Sequence, residues 1–305
     1  KARVWELRSV PGVCNHCSVG CNISHDMRYN DLMRVMPREN DFVNEIWNCD
    51  KGRYGMRYVA SPERLTAPMI HRNNSWAKVT WDEAIQFVAD RLTLVRANAG
   101  AGALGGLAGA RLANEDLYVF QKLFRETLGS GNLDHRKGTP DEPAALDDLP
   151  SIVGVGAGTN LMALGKGTSV LVIGADPEEE APLYVIRLRG IADRGGDLSV
   201  VNTYNTKLAR FAKHTASPRV GAEAALVQAL LSVIFEENLQ NSEFIAARSR
   251  GLDELRRSVG KTALADLVAA SGVAEATIRT IARSFAGAEN GIIVYGRAAQ
   301  SAGPA

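Results

Sequence analysis

The chain has 305 residues, 46% hydrophobic and 23% charged, with 35 Lys and Arg against 34 Asp and Glu for a formal net charge of +1. That length suits two or three domains and a core that needs no disulfides, and the even balance lacks the basic excess of a general nucleic-acid binder. No apolar run approaches the roughly 18 residues of a membrane-spanning helix; the richest, Ala222–Phe235, stops at Glu236 and Glu237.

Starting at Lys1 and stopping after Pro304 and Ala305, the chain reads as a fragment, so the lack of a leader says little about compartment. Residues 1–60 read as a small β-rich unit. Val4–Leu7 and Leu32–Val35 alternate apolar and polar residues as strands do, and Asn30-Asp31 supplies a turn. Such a unit is poor in core and needs a staple. From Thr80 the period becomes helical: Thr80 and Glu83 form a capping box ahead of Trp81, Ala84, Ile85, Val88, Leu92 and Val95. Ala103–Leu107 is a short strand, Asn114 caps a helix running to Leu128, and Gly129-Ser-Gly131 ends it. Residues 130–168 read as one long loop, of the kind that is usually functional or mobile.

Ser169–Ile173 and Leu198–Val201 are buried strands on either side of a helix from Ala181 to Asp193, which predicts a parallel sheet with a right-handed crossover. Helices follow over 222–237, 242–248, 252–259, 264–270 and 274–286, and Ile292–Tyr295 reads as another buried strand. Leu267–Ala282 has the rhythm of a helix-turn-helix, but its second helix offers only Arg279 and Arg283, so plain packing is the better reading and no nucleic-acid partner is expected. Glu178–Glu180 suits a helix start better than a metal site. Gly100–Gly109 lacks the ordered glycines of a phosphate cradle.

Chemistry concentrates in the cysteines. Cys14, Cys17, Cys21 and Cys49 are spaced C-x2-C-x3-C-x27-C, three thiols in one loop and a fourth returning later. Four such thiolates suit a [4Fe–4S] cluster, with Asn15, His16 and Ser18 available to hydrogen-bond around it. A structural zinc site is the rival, although zinc sites more often show two separated C-x-x-C pairs. Disulfides are a poorer reading, since three crowded cysteines staple little chain.

The residues after Cys49 add a resemblance. Cys49-Asp-Lys-Gly-Arg-Tyr-Gly55, Ser61–Ile70, Trp76–Ala84 and Leu171-Val-Ile-Gly-Ala-Asp-Pro177 resemble the molybdopterin oxidoreductase superfamily, which includes formate dehydrogenases and nitrate reductases. Within it, Val4–Leu7, Cys14–Asn22, Val35–Asn40 and Val43–Arg53 are similar to the family of the large iron–sulfur subunit of respiratory complex I, the proton-pumping NADH:quinone oxidoreductase. The resemblance implies an α/β fold of the formate dehydrogenase and DMSO reductase type. A [4Fe–4S] domain would occupy 1–60 and the first part of an α/β molybdopterin-oxidoreductase-like domain 61–150. An inserted Rossmann-like α/β domain would occupy 151–290, and 291–305 would return to the interrupted domain. It implies Cys14, Cys17, Cys21 and Cys49 as cluster ligands, with the cluster structural or off the main electron route. Lys51 matches a lysine that lies between cluster and pterin in molybdenum relatives.

Two departures accompany it. The metal-ligand loop of those relatives matches Gly131–Pro140, which has no thiol, and His135 and Thr139 are unconvincing substitutes. The expected Asp-Pro-Arg after the second strand is replaced by Asn202–Thr206, although Gly174-Ala-Asp-Pro177 is kept, as a turn if not as a ligand loop. A molybdopterin is therefore not expected, and no acid, base or nucleophile is assigned. The implied protein is an oxidoreductase subunit without a complete active site of its own. Its partners would be other peripheral-arm subunits, on the cytoplasmic side of the inner membrane or the matrix side of a mitochondrial one. The alternative is a catalytic molybdopterin oxidoreductase of the formate dehydrogenase type.

Overall fold

The computed structural model describes residues 2–17, 19–109, 111–134 and 161–296. The chain divides into two units, Lys1–Lys137 and Gly138–Ala305.

The first unit opens with a three-stranded antiparallel sheet, β1 (Arg8–Val13), β2 (Asn22–Arg28) and β3 (Asp31–Pro37), in that order. Val4–Glu6, expected as strand, is instead a single 3-10 turn. Its Glu6 carboxylate accepts the Arg3 N–H at 2.6 Å and pairs with Arg28, and these local bonds outcompete a ladder. Tyr29 makes the β2–β3 turn with φ +53°. Ile23 and Val35 are fully buried, and so is one charged group, Asp26. Asp26 accepts from Ser9 on β1 and pairs with Arg34 on β3 at 2.6 Å, so it ties all three strands together. Burial by itself would raise its carboxyl; the Ser9 and Arg34 bonds outweigh that and hold it below the usual aspartate range. A depressed carboxyl contributes stability that is full above its unfolded pKa of about 3.9 and is lost as pH falls through the folded value. Asp26→Asn is expected to cost about 1–3 kcal/mol at pH 7, with the gap to wild type closing below about pH 4 in urea melts.

Next come α1 (Asp50–Tyr54) and the hairpin β4 (Met69–Arg72) and β5 (Ser75–Lys78), whose turn residues Asn73 and Asn74 both take positive φ. In α2 (Trp81–Ala99) Thr80 accepts from the Glu83 N–H as the expected cap. The apolar face is helical as predicted, yet Trp81, Ile85, Val88 and Val95 stay exposed and only Leu92 packs inward, against Leu104, Phe124 and Leu128. Further along, β6 (Gly106–Leu107) pairs in parallel with β7 (Leu133–Asp134), with α3 (Asn114–Lys122) between them in sequence. Ala113, not Asn114, is the cap position of α3, its N–H held by the Asp116 carboxylate.

The second unit is a parallel sheet, ordered β10–β9–β8–β11, with β8 (Thr168–Ile173), β9 (Asp197–Val201), β10 (His214–Ala216) and β11 (Asn290–Tyr295). β8 is buried along its whole length. Val170 and Val172 face one layer with Leu188 and Ile191, while Leu171 and Ile173 face the other with Leu226, Leu230 and Ile278, as strict alternation requires of a sheet covered on both sides. The first layer comes from α4 (Pro177–Glu180) and α5 (Pro182–Asp193); the second from α6 (Glu223–Glu236), with α7 (Ser242–Arg248) and α8 (Leu252–Val259) beyond it, then α9 (Leu264–Ser271) and α10 (Glu275–Ala286). The segment expected to return to the interrupted domain behaves differently over its described part. β11 takes the edge beside β8, residue for residue from Asn290↔Thr168 to Tyr295↔Ile173, because its backbone completes the ladder there. The helix-turn-helix look of 267–282 resolves into packing: Leu267, Ile278 and Ile281 are buried, and Arg279 and Arg283 are paired with Glu237.

Candidate metal centre

Three of the four thiols ride on one hairpin. β1 ends at Val13 just before Cys14, and β2 starts at Asn22 just after Cys21. The Cys14 N–H donates to the Cys21 carbonyl at 2.8 Å, which locks the two residues across the loop mouth. Within the loop, Gly20 takes φ +63° and its N–H reaches the Cys17 carbonyl at 3.4 Å, a turn that a side chain would strain.

Cys49 arrives on a separate segment as the cap residue of α1, where its sulfur accepts the Gly52 N–H at 3.4 Å. Asn44, only 2% exposed, anchors that segment. Its side-chain oxygen accepts the Asn22 N–H at 2.8 Å. Its amide nitrogen lies 2.9–3.4 Å from the carbonyls of Asn22, Arg38, Glu45 and Trp47. One side chain thus joins the residue after Cys21 to the stretch that delivers Cys49.

Gly52 brings the two segments together. It is buried, and a β-carbon on it would lie 3.4 Å from the Cys14 sulfur and 3.9 Å from that of Cys49. All four cysteines are unbridged, with Cys14 6% and Cys21 4% exposed. Burial pushes the Cys14 thiol up against the pull of the His16 backbone N–H, and the charges of Cys17 and Cys49 add to the rise. Cys21 is pushed up to about 12, by burial first and then by Cys14, Cys17 and Cys49. The charges of Cys17 and Cys49 reach both Cys14 and Cys21, which puts the four sulfurs in one neighbourhood where a strongly cationic centre would favour the thiolates.

Zinc would need its ligand sulfurs about 2.3 Å from a single point. Among the described residues, no three of His, Cys, Asp and Glu converge to hold one ion. Backbone N–H groups aimed at Cys14 and Cys49 are what an iron–sulfur cluster uses to set its potential. The residues present fit a [4Fe–4S] group.

Around the thiols, His16 packs edge-on to Tyr58 with ring centroids 6.4 Å apart, its Nε2 buried without a hydrogen-bond partner. Burial first, then the charges of Arg111 and Lys51, hold its imidazole below the usual histidine value. Lys51 therefore lies within electrostatic reach of the cysteine loop, on the first turn of α1 after Cys49. The cysteines and His16 are legible from spacing. Asn44 and Gly52 are not, and the one signal available for Gly52 is its place three residues after a ligand at a helix start. Ser18, His135, Thr139 and Pro140 lie outside the described residues.

In the second unit the carboxyl ends of the parallel strands form the other place where such folds bind ligands. The chain leaves β8 toward β9 on one side and comes back as β11 on the other. Gly174, with φ +55°, turns the chain from β8 into α4, with Asp176 as cap and Pro177 as the first helical residue.

Residues 64–302 match the family model described as Molybdopterin oxidoreductase, and residues 7–57 match that of the NADH-ubiquinone oxidoreductase NDSU1/NuoG-like, 4Fe-4S domain. Among curated proteins, the chain is 33% identical over 299 residues to an NADPH-Fe(3+) oxidoreductase subunit alpha of Geobacter sulfurreducens, covering 97% of this chain and 35% of that one. It is 28% identical over 291 residues to an F420-dependent formate dehydrogenase subunit alpha of Methanocaldococcus jannaschii, covering 95% and 42%. The chain thus spans well under half the length of these relatives. Among solved structures, acetylene hydratase from Pelobacter acetylenicus superposes with a TM-score of 0.72 at 18% identity, over 95% of this chain and 40% of that one, a likeness of fold. The α/β architecture with a small N-terminal iron–sulfur domain is that of the molybdopterin oxidoreductase type.

Proposed function

The chain belongs to the molybdopterin oxidoreductase family and carries a NuoG-like 4Fe-4S domain, and on that premise we propose that it is the iron–sulfur part of an electron-transferring subunit of NADH:quinone oxidoreductase. Cys14, Cys17, Cys21 and Cys49 each bind one iron of a [4Fe–4S] cluster, and the cluster supplies one-electron chemistry when bound. The residues do the rest. The Cys14–Cys21 backbone bond holds the ligand loop in shape, the His16 and Gly52 N–H groups stabilise sulfur charge, and the ammonium of Lys51 favours the reduced state. No residue acts as acid, base or nucleophile, and the molybdenum site is absent from this reading. The observation that carries it is Gly52, buried between the sulfurs of Cys14 and Cys49, beside a loop whose Cys14 and Cys21 are themselves buried. The partners are the other subunits of the peripheral arm, at the cytoplasmic or matrix face of the membrane. Among the described residues no helix is long and apolar enough to cross a membrane.

The test is anaerobic reconstitution followed by electron paramagnetic resonance of the reduced protein. A single reduced-cluster signal is expected, with about four irons per chain. Cys49→Ser should lose or weaken it; an unchanged signal removes Cys49 from the ligand set.

A second reading is supported by the relative named as a formate dehydrogenase: a catalytic molybdopterin enzyme of which this chain is one part. Molybdenum or tungsten above trace levels, together with pterin fluorescence, would select it.

A further inference from the structure

We infer that the crevice at the carboxyl end of β8 is closed to an anionic dinucleotide by its own side chains, the Glu180 carboxylate holding a backbone donor that a phosphate would need. This goes beyond the electron-carrier reading and stands on different residues.

A pyrophosphate at such a crevice is held by backbone N–H groups in the turn after the strand. Here most of those donors are engaged. The Gly174 N–H donates to the Val201 carbonyl at 2.9 Å. The Asp176 N–H donates to Glu180 Oε1 at 3.0 Å, and the Glu178 N–H to Asp176 Oδ1 at 3.2 Å. The N–H groups of Glu179 and Glu180 both donate to the Asp176 carbonyl, at 3.1 and 2.9 Å. Pro177 has none to offer. The loop after β9 is committed as well: the Asn202 side chain donates to the Ala175 carbonyl at 3.0 Å, and the Tyr204 hydroxyl to Asp176 Oδ2 at 3.1 Å.

Space and charge point the same way. A β-carbon on Gly296 would lie 2.5 Å from both the Ala175 α-carbon and the Gly174 carbonyl oxygen, and 2.7 Å from Glu180 Oε1. Gly296, at the end of β11, therefore lies closely against the backbone of the turn following β8. Asp176, Glu178, Glu179 and Glu180 are four acidic residues in this turn and the short helix it opens, and Lys207 is engaged by Glu178 at 2.8 Å. The Tyr204 phenol registers the negative field: burial, then Asp176, Glu180 and Glu179, push it up. A ligand with two more negative charges would meet repulsion from these carboxylates.

The bland alternative is that Glu180 only caps a short helix, and it predicts that removing the carboxylate changes nothing in binding. The experiment uses the full chain, purified without oxygen, as wild type, Glu180→Gln and Glu180→Ala. Each is titrated with GDP and with inorganic pyrophosphate, followed by calorimetry and phosphorus NMR. Wild type should show no saturable binding in the millimolar range and should release no GMP on acid hydrolysis. At least one Glu180 variant should bind GDP ten-fold or more tightly than wild type. Glu180→Gln keeps the side-chain shape, so it decides the matter if Glu180→Ala fails to fold. Sub-millimolar GDP binding by wild type, stoichiometric GMP release, or folded variants that bind no better than wild type would each overturn the inference. Iron and sulfide are measured in the same samples. A nucleotide-free crevice in a protein that cannot hold a cluster defeats only the electron-carrier reading, and a clustered protein that binds GDP defeats only this one.

Discussion

Asn44→Ala should cost the protein about 3 kcal/mol and most of its iron. At least two polar groups lose their partner in a buried place, and each such orphan costs roughly 1–3 kcal/mol. The Asn22 N–H has Asn44 Oδ1 as its acceptor at 2.8 Å, and the Trp47 carbonyl has Asn44 Nδ2 at 2.9 Å. The amide has only two hydrogens to share among the four carbonyls it reaches, so the site is already fully subscribed. Once the anchor is gone, the stretch carrying Cys49 is released from β2, and the fourth ligand no longer arrives in register. Urea melts followed by circular dichroism should show a lowered midpoint with an unchanged slope, and iron per chain should fall in parallel. Asn44→Asp is no rescue: one carboxylate oxygen keeps the Asn22 N–H, but the other is a buried charge set among four carbonyl oxygens. The order of stability at pH 7 is therefore wild type, then alanine, then aspartate. An alanine variant as stable and as iron-rich as wild type would remove Asn44 from its anchoring role.

Gly52→Val should leave the fold and remove the cluster. A single β-carbon at position 52 sits at ordinary contact distance from two sulfurs, 3.4 and 3.9 Å, so Gly52→Ala should keep most of its iron. The two further methyl groups of valine must go where the sulfurs are, and overpacking of this kind costs about 1–3 kcal/mol even in an apolar core. Here the atoms displaced are ligands, so the loss appears first in metal content. Absorbance near 400 nm after anaerobic reconstitution, compared across glycine, alanine and valine, reads this out. Equal absorbance in all three would show that Cys14 and Cys49 do not grip one group.

Much of the second unit can be read from residue order because it is a covered parallel sheet. Ser169–Ile173, Leu198–Val201 and Ile292–Tyr295 are short apolar runs with no polar alternation, and they fall within β8, β9 and β11. The run in β11 misleads about burial, since at the sheet edge Ile293 and Tyr295 stay exposed, and its pairing with β8 is hidden because an apolar run leaves its neighbour undetermined. In the first unit, Val4–Leu7 misleads because four residues of alternation weigh less than a carboxylate three positions along that can bond back to the chain. The apolar face of α2 is legible as a helix face, while its exposure is not, since periodicity reports which residues share a side and nothing about what covers them. The cysteine spacing discloses the ligand set, but Asn44 cannot be found in this way: a buried asparagine in a loop belongs to no period. The crevice residues resemble those of relatives in Gly174–Pro177, and only the hydrogen bonds reveal how its donors are used.

The division of the thiols between two segments sets a timetable for biogenesis. Cys14, Cys17 and Cys21 leave the ribosome together, and Cys49 follows Cys21 by 28 positions, an interval of roughly 1–6 s at ordinary rates of synthesis. During those seconds the nascent hairpin presents a tripod of sulfurs with one vertex open, and α1 is the latch that arrives last.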